Sequence, residues 1–315
     1  MYIKYSNIIL FGIILNIIIL AFTSLCEQFK DISVGIVTTV KKPHKFDDWI
    51  KYHLKIGFTK LYVVLDDENE DISYPSDKVV FIKNNKNWKK ELSELNMGMF
   101  YDQYDKEVMS RQVLNYANVK KIAIKDNIDW LLHIDADELF YPESGSLSSI
   151  FDNKYDVIRF ENLEMLPMND NYENCFVEGI HFKTNKYIYV AYTNGKSALK
   201  VTSNSVINGV HGFSGGISHD SDSGKILHYP SCNFEEYINK YKILGKFNNK
   251  WWDQIDIPIV FHTESRDIIQ SCSDKDFDDE CIQKVRNYYN VKNVNNDSIK
   301  PTDYKIIEYV NNILK

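Results

Sequence analysis

The chain has 315 residues, 44% of them apolar and 26% charged, with a net charge of −7. Beyond a distinct N-terminal segment, about 290 residues remain, enough for one sizeable α/β core. A mildly acidic chain lacks the basic face that nucleic-acid phosphates demand, and it offers no polybasic patch for a lipid surface.

Residues 1–26 stand apart. Lys4 precedes an apolar run from Ile8 to Leu25, interrupted by Gly12, Asn16, Thr23 and Ser24. The run is about 18 residues long, near the lower limit for a bilayer-spanning helix. A cleaved signal peptide is the alternative, but Ala21-Phe22-Thr23-Ser24-Leu25-Cys26 makes a poor cleavage site. The segment is expected to be a single-pass signal anchor with a lumenal or extracytoplasmic catalytic domain, which is secreted if the segment is cleaved. Asn296-Asp297-Ser298 is a glycosylation acceptor pattern compatible with that side.

Val34–Val40 is a β-branched run of the kind that forms a strand buried on both faces. Pro43 ends it, and Phe46 to Ile56 then carries apolar residues at helical spacing, with Gly57 as the stop. Further strands are expected at Leu61–Leu65 and Val79–Ile82, a helix at Val108–Ile124, and a strand at Trp130–Ile134 that runs into Asp135. This alternation predicts an α/β fold with a mostly parallel central sheet flanked by helices. After Tyr141 the pattern changes to strand-like pieces at Asp156–Phe160, Tyr187–Tyr192 and Ala198–Val201, separated by Gly- and Asn-rich loops. The expected organisation is a nucleotide-binding half over 31–140, an acceptor and closure half of the same domain over 141–265, and a polar helical tail over 266–315.

The five cysteines have no CxxC or Cys/His zinc spacing. For Cys272 and Cys281, a disulfide in an oxidising compartment and a pair of ordinary thiols both remain open.

Open α/β sheets bind ligands at the carboxyl ends of their strands. Two acidic clusters fall there: Asp66-Asp67, and Asp135-Ala136-Asp137 with Glu138 behind it. Asp135 and Asp137 lie two apart on an extended segment, so both carboxylates can face one way, and small Ala136 lets a bulky ligand approach. Such carboxylates suit Mn²⁺ or Mg²⁺ bridging the phosphates of a sugar diphosphate.

Three stretches carry a family resemblance: Asp48-Trp49-Ile50-Lys51-Tyr52-His53-Leu54 with Ile56-Gly57 and the later Asp66-Asp67; Trp130 through Phe140; and Gly195-Lys196-Ser197-Ala198 with Val210-His211-Gly212-Phe213 and Leu227-His228-Tyr229. On them the chain resembles the DXD-motif glycosyltransferases of the GT-A fold, in the family 2-like and family 92-like group. The resemblance implies a Rossmann-like nucleotide-binding half and a nucleotide-sugar donor, with a UDP-sugar favoured. It further implies transfer to a glycan or glycoprotein acceptor, with inversion and dependence on a divalent metal. Asp135 and Asp137 would hold metal and diphosphate, Asp66 would sit near the nucleoside, and His211 or His228 would complete the metal shell. The usual Gly/Ser-rich turn after the second strand is replaced by Glu68-Asn69-Glu70-Asp71.

Donor contacts are therefore expected from Asp66, Asp67, Asp135, Lys196 and His211, with Lys200, Gln112 or Asn115 as further polar candidates. Asp220, Asp253 and Glu264 are candidate bases for the acceptor hydroxyl, and Trp251-Trp252 is a candidate sugar platform. A metal-dependent nucleotidyltransferase or phosphohydrolase would use similar carboxylates. For a nucleotidyltransferase, Lys41-Lys42-Pro43-His44 lacks the glycine-rich loop expected after the first strand. A non-catalytic sugar-binding relative is the third reading.

Overall fold

The β-branched run forms strand β1 (Val34–Val40) in a computed structural model that describes residues 32–143, 145–168, 170, 172–182, 194–252, 254–273, 277–293 and 304–315. Helix α1 (Phe46–Lys55) follows, then β2 (Lys60–Leu65), β3 (Val79–Lys83), α2 (Lys86–Ser93), the short α3 (Gly98–Tyr101), α4 (Val108–Lys125) and β4 (Trp130–His133). The chain continues through β5 (Glu138–Pro142), α5 (Leu147–Ile150), β6 (Val157–Glu164), α6 (Cys175–Glu178), β7 (Lys196–Lys200), the hairpin β8 (Val206–Gly209) and β9 (Gly212–Ser214), and β10 (Ser218–His228). Helix α7 (Phe234–Leu244), the short pair β11 (Lys250–Trp251) and β12 (Ile255–Asp256), and helices α8 (Val260–Ser273), α9 (Asp279–Asn293) and α10 (Tyr304–Leu314) complete it.

Eight strands form one sheet in the order β3-β2-β1-β4-β7-β6-β10-β5. Four neighbouring pairs are parallel (β1 with β2, β2 with β3, β1 with β4, β6 with β10), which bears out the α/β expectation of a mostly parallel sheet of the Rossmann-like GT-A kind. The expected strands and helices of the first 140 residues form within about two residues of their anticipated ends, the usual scatter of element boundaries. Val34, Ile36, Val37 and Val40 are all at or below 2% exposure, so the central strand is buried on both faces, as its composition demands. Because β2, β1 and β4 are neighbours and parallel, Asp66, Lys41 and Asp135 leave the sheet at the same edge.

Two strands of the eight-stranded sheet were not anticipated. β10 begins Ser-His-Asp-Ser-Asp-Ser-Gly, a sequence poor in strand formers, and is held by β6 on one side and β5 on the other, with a register irregularity between Ser221 and Lys225. β5 lies at the sheet's edge, and α1 covers its open side. Trp49 Nε1 donates to Glu138 O at 2.7 Å, Tyr52 OH donates to Phe140 O at 2.9 Å, and Phe140 N donates to His53 Nε2 at 3.2 Å. His53 in turn donates from Nδ1 to Trp49 O at 2.8 Å. This network fixes a neutral tautomer, and burial holds the imidazole down at about 3. The Trp49–His53 stretch thus anchors the strand that follows the acidic turn. Trp49→Ala would cost about 3–5 kcal/mol from lost packing alone.

α4 packs across β1: Asn115 Nδ2 donates to Thr39 Oγ1, and Tyr116 OH donates to Leu131 O. At the C-terminal end the expected polar tail is helical, but amphipathic. Ile269, Cys272, Cys281, Val285 and Tyr289 are buried against Phe234, Tyr237 and Tyr241 of α7. Cys272 and Cys281 are both buried in that cluster. Among the described residues no helix is long and apolar enough to cross a membrane. The apolar run of residues 8–25, the strand expected at 187–192, the candidate base Asp253 and the acceptor pattern at 296–298 lie outside the described residues.

Candidate functional site

The acidic turn is built by its own residues. After β4, Asp135 N donates to Glu138 Oε2 at 2.7 Å while Glu138 N donates to Asp135 O at 3.1 Å, a reciprocal clasp between the turn's ends. Tyr229 N donates to Asp137 O at 2.8 Å and ties the turn to the chain leaving β10. The turn opens on a cavity of 790 Å³, within the range of about 300–1,000 Å³ common for small-ligand sites. Its walls come from the β1–α1 turn (Lys41, Lys42, His44), from α4 (Gln112), from His211 and His228, and from α7 (Glu236, Lys240, Lys242).

Each carboxylate of the turn already holds an ammonium. Lys196, 1% exposed, donates to Asp135 Oδ2 at 2.6 Å and stands 3.5 Å from Glu138 Oε2. Gln112 Nε2 donates to the other oxygen of Asp135 at 2.5 Å. Lys240 donates to Asp137 Oδ2 at 2.8 Å and to Pro230 O at 3.0 Å. His228 lies between Asp137 and Glu164, at 3.8 and 3.6 Å.

The protonation states follow from burial set against these partners. Burial pushes Glu138 well above the usual carboxylate range, against the pull of Lys196. Burial also works to raise Asp135 and Asp137, but Lys196 on one and Lys240 with His228 on the other hold both below their ordinary values. Burial disfavours both ammoniums, and the neighbouring carboxylates outweigh it, so Lys196 and Lys240 remain charged. The carboxylates of Asp135 and Asp137 thus face two ammoniums.

That balance does not fit a hard divalent ion. A divalent ion would have to compete with Lys196 and Lys240 for the two carboxylates that they already hold, against the repulsion of like charges. Among the described residues there is also no group of three or more His, Cys, Asp or Glu side chains arranged to hold a metal.

His211 sits in the β8–β9 turn, where Nδ1 donates to Gly195 O at 2.7 Å. Burial and the Lys196 charge hold it at about 3, so it lines the cavity as a neutral imidazole. Gly195 has φ of +58°, and a Cβ there would lie 1.8 Å from Phe160 O, so only glycine lets the backbone present both Lys196 and that carbonyl. His44 meets Glu236 at 3.5 Å. The hydrogen bond from Cys175 is the main force lowering the Cys232 thiol to about 6, and the bond with Cys232 raises His44.

Other residues singled out in the sequence lie elsewhere. Both carboxylate oxygens of Asp66 are taken by Arg111, at 2.6 and 2.9 Å, and Asp66 does not line the cavity. Asp67 accepts from the backbone and side-chain N–H of Asn69 in a surface turn. Asp220 pairs with Arg159, Glu264 accepts from Tyr288 OH, and Lys200 donates to Asn153 O. Trp252, partly buried, packs edge-on against Phe100 at the margin of the core. The residues that sequence reasoning missed are Lys240, Glu236, His44 and Cys232. Only His44 had a readable signal, its place at the end of the first strand.

No family model matches the chain. It is similar to two Arabidopsis thaliana proteins, each named glycosyltransferase-like. One is 26% identical over 45% of this chain and 38% of its own length. The other is 23% identical over 61% of this chain and 46% of its own length. The chain thus spans less than half the length of either relative, and its detectable similarity is to glycosyltransferase-like proteins as a general class.

Proposed function

We propose that the chain is a glycosyltransferase that moves a sugar from a nucleotide sugar, a UDP-sugar by preference, to a glycan or glycoprotein acceptor. One observation carries this reading above the others. The Asp135-Ala136-Asp137 turn, at the carboxyl edge of a Rossmann-like sheet, opens on a 790 Å³ cavity whose wall holds Lys41, Lys42, Lys240 and Lys242 in a chain of net charge −7. The four lysines outnumber the three carboxylates of the same wall (Asp135, Asp137 and Glu236), and a positive excess in an acidic protein favours a ligand with phosphates. Similarity to glycosyltransferase-like proteins supports sugar transfer over other phosphate chemistry.

In this reading the diphosphate lies against the lysine-bearing wall and the sugar lies over Ala136. Glu236, whose carboxylate faces the cavity beside His44, takes the proton of the acceptor hydroxyl as that oxygen attacks the anomeric carbon from the face opposite the diphosphate. The product is the inverted glycoside. The apolar run at 8–25 anchors the enzyme in a membrane with the site on the lumenal side.

The test is product analysis. The full chain, given a panel of nucleotide sugars and glycan acceptors, is expected to release nucleoside diphosphate and label the acceptor in equal amounts. Release of free sugar or phosphate at a rate indifferent to acceptor would point to a hydrolase and sink the proposal.

A further inference from the structure

We infer that Lys240 is the resident cation of this site and meets the leaving diphosphate directly, in the place a divalent metal would take. The inference rests on the transferase reading and specifies how its leaving group is stabilised.

Part of the positive charge at the site is already committed. Lys196 is 1% exposed and bound between Asp135 and Glu138, so it is a fixed counter-ion rather than a group that can swing toward a ligand. It leaves Asp135 with little charge to offer a metal. Lys240 differs in three respects. It comes from α7, outside the sheet; its side chain is 28% exposed; and it lines the cavity. An ammonium has three N–H donors. Among the described residues two of them go to Asp137 Oδ2 and Pro230 O, which leaves the third for a phosphate oxygen. Asp137 then keeps Lys240 charged and fixed in direction, as a positioning residue for the cation.

Asn233 supports this placement. Its side chain accepts from Glu236 N at 2.9 Å and caps α7, so one helix start sets both Glu236 and, one turn later, Lys240 against the cavity. In the transfer step the acceptor oxygen forms a bond to the anomeric carbon, and its proton passes to Glu236. The bond from that carbon to the β-phosphate oxygen breaks, and its electron pair stays on the phosphate. Lys240 offsets the charge that gathers there, and it needs no rearrangement because it is already in place. The step balances without any further reactant.

The experiment is calorimetric titration of a panel of nucleoside diphosphates into the full chain freed of metals with EDTA, then repeated with Mn²⁺ or Mg²⁺. One diphosphate is expected to bind in EDTA, and added metal should change its affinity by less than about threefold. Lys240→Met should weaken that binding about 30-fold, the worth of one charge-assisted hydrogen bond, and Lys240→Arg should restore most of it. Because Lys240→Met leaves Asp137 without its ammonium, the double variant Lys240→Met/Asp137→Asn provides a second, charge-neutral test and should show the same loss. Binding that requires a divalent ion, or wild-type binding by the double variant, would overturn the inference while leaving the transferase reading intact. Failure of every diphosphate to bind under both conditions would overturn both.

Discussion

Two acidic strand ends, alike in sequence, have different fates in this molecule. Asp66 and Asp135 both follow apolar strands, leave the sheet at the same edge, and have a second acid close by. At the first, Arg111 reaches across from α4 and takes both oxygens of Asp66, with both side chains largely buried. The pair is complete, and it joins helix to sheet. At the second, Asp135 and Asp137 each hold one ammonium, and one of those ammoniums faces a cavity. A carboxylate's role is thus set less by the strand end it occupies than by whether its cation is shut in or open to a ligand.

The comparison is broken most directly at the cavity end. Asp135→Ala and Asp137→Ala should each lower sugar transfer by about 10²–10³-fold, through loss of the groups that fix Lys196 and Lys240. Circular dichroism should show both variants folded at the assay temperature. A tenth of wild-type transfer in either would remove the turn from the chemistry. Glu236→Gln should lower kcat by about 100-fold while leaving KM within a few-fold, because only proton transfer is lost.

The other strand end should behave in the opposite way. Arg111→Met leaves Asp66 buried without its partner and is expected to cost about 3 kcal/mol in a denaturant titration. Transfer per folded molecule should stay within a few-fold of wild type. A large loss of transfer at full stability would give Asp66 a place in donor binding after all.

The smallest effect is on pH dependence. His53 under the edge strand and His133 in β4 are held by burial at about 3 and about 4. Their folded values lie below the ordinary 6.5, so their contribution to stability is complete above that pH and is lost as pH falls toward the folded values. Between pH 7.5 and pH 5.5 the two together should lower the unfolding free energy by about 2–3 kcal/mol. His53→Gln should remove about half of that 2–3 kcal/mol, His211 adding its own share to the total slope, and an unchanged slope would assign acid sensitivity to other groups.

Much of the molecule was legible in its sequence. The strands β1, β2 and β4 and the helices α1 and α4 are marked by runs and periods of apolar residues with breakers at their ends, which are local properties of the chain. The turn at Asp135-Ala136-Asp137 was legible for the same reason, as acids ending a buried strand. Local signals failed at β10, whose polar opening is held in the sheet by neighbours on both sides, and at β5, whose outer edge is satisfied by side chains of α1. They also failed for the charges. Arg111 lies 45 residues from Asp66, Lys196 lies 61 from Asp135, and Lys240 lies 103 from Asp137. No periodicity links such residues. The sequence by itself determined where the carboxylates leave the sheet, because strand ends follow from apolar runs. Only the tertiary structure decided which cation each carboxylate meets, because Coulomb energy depends on distance and burial through space.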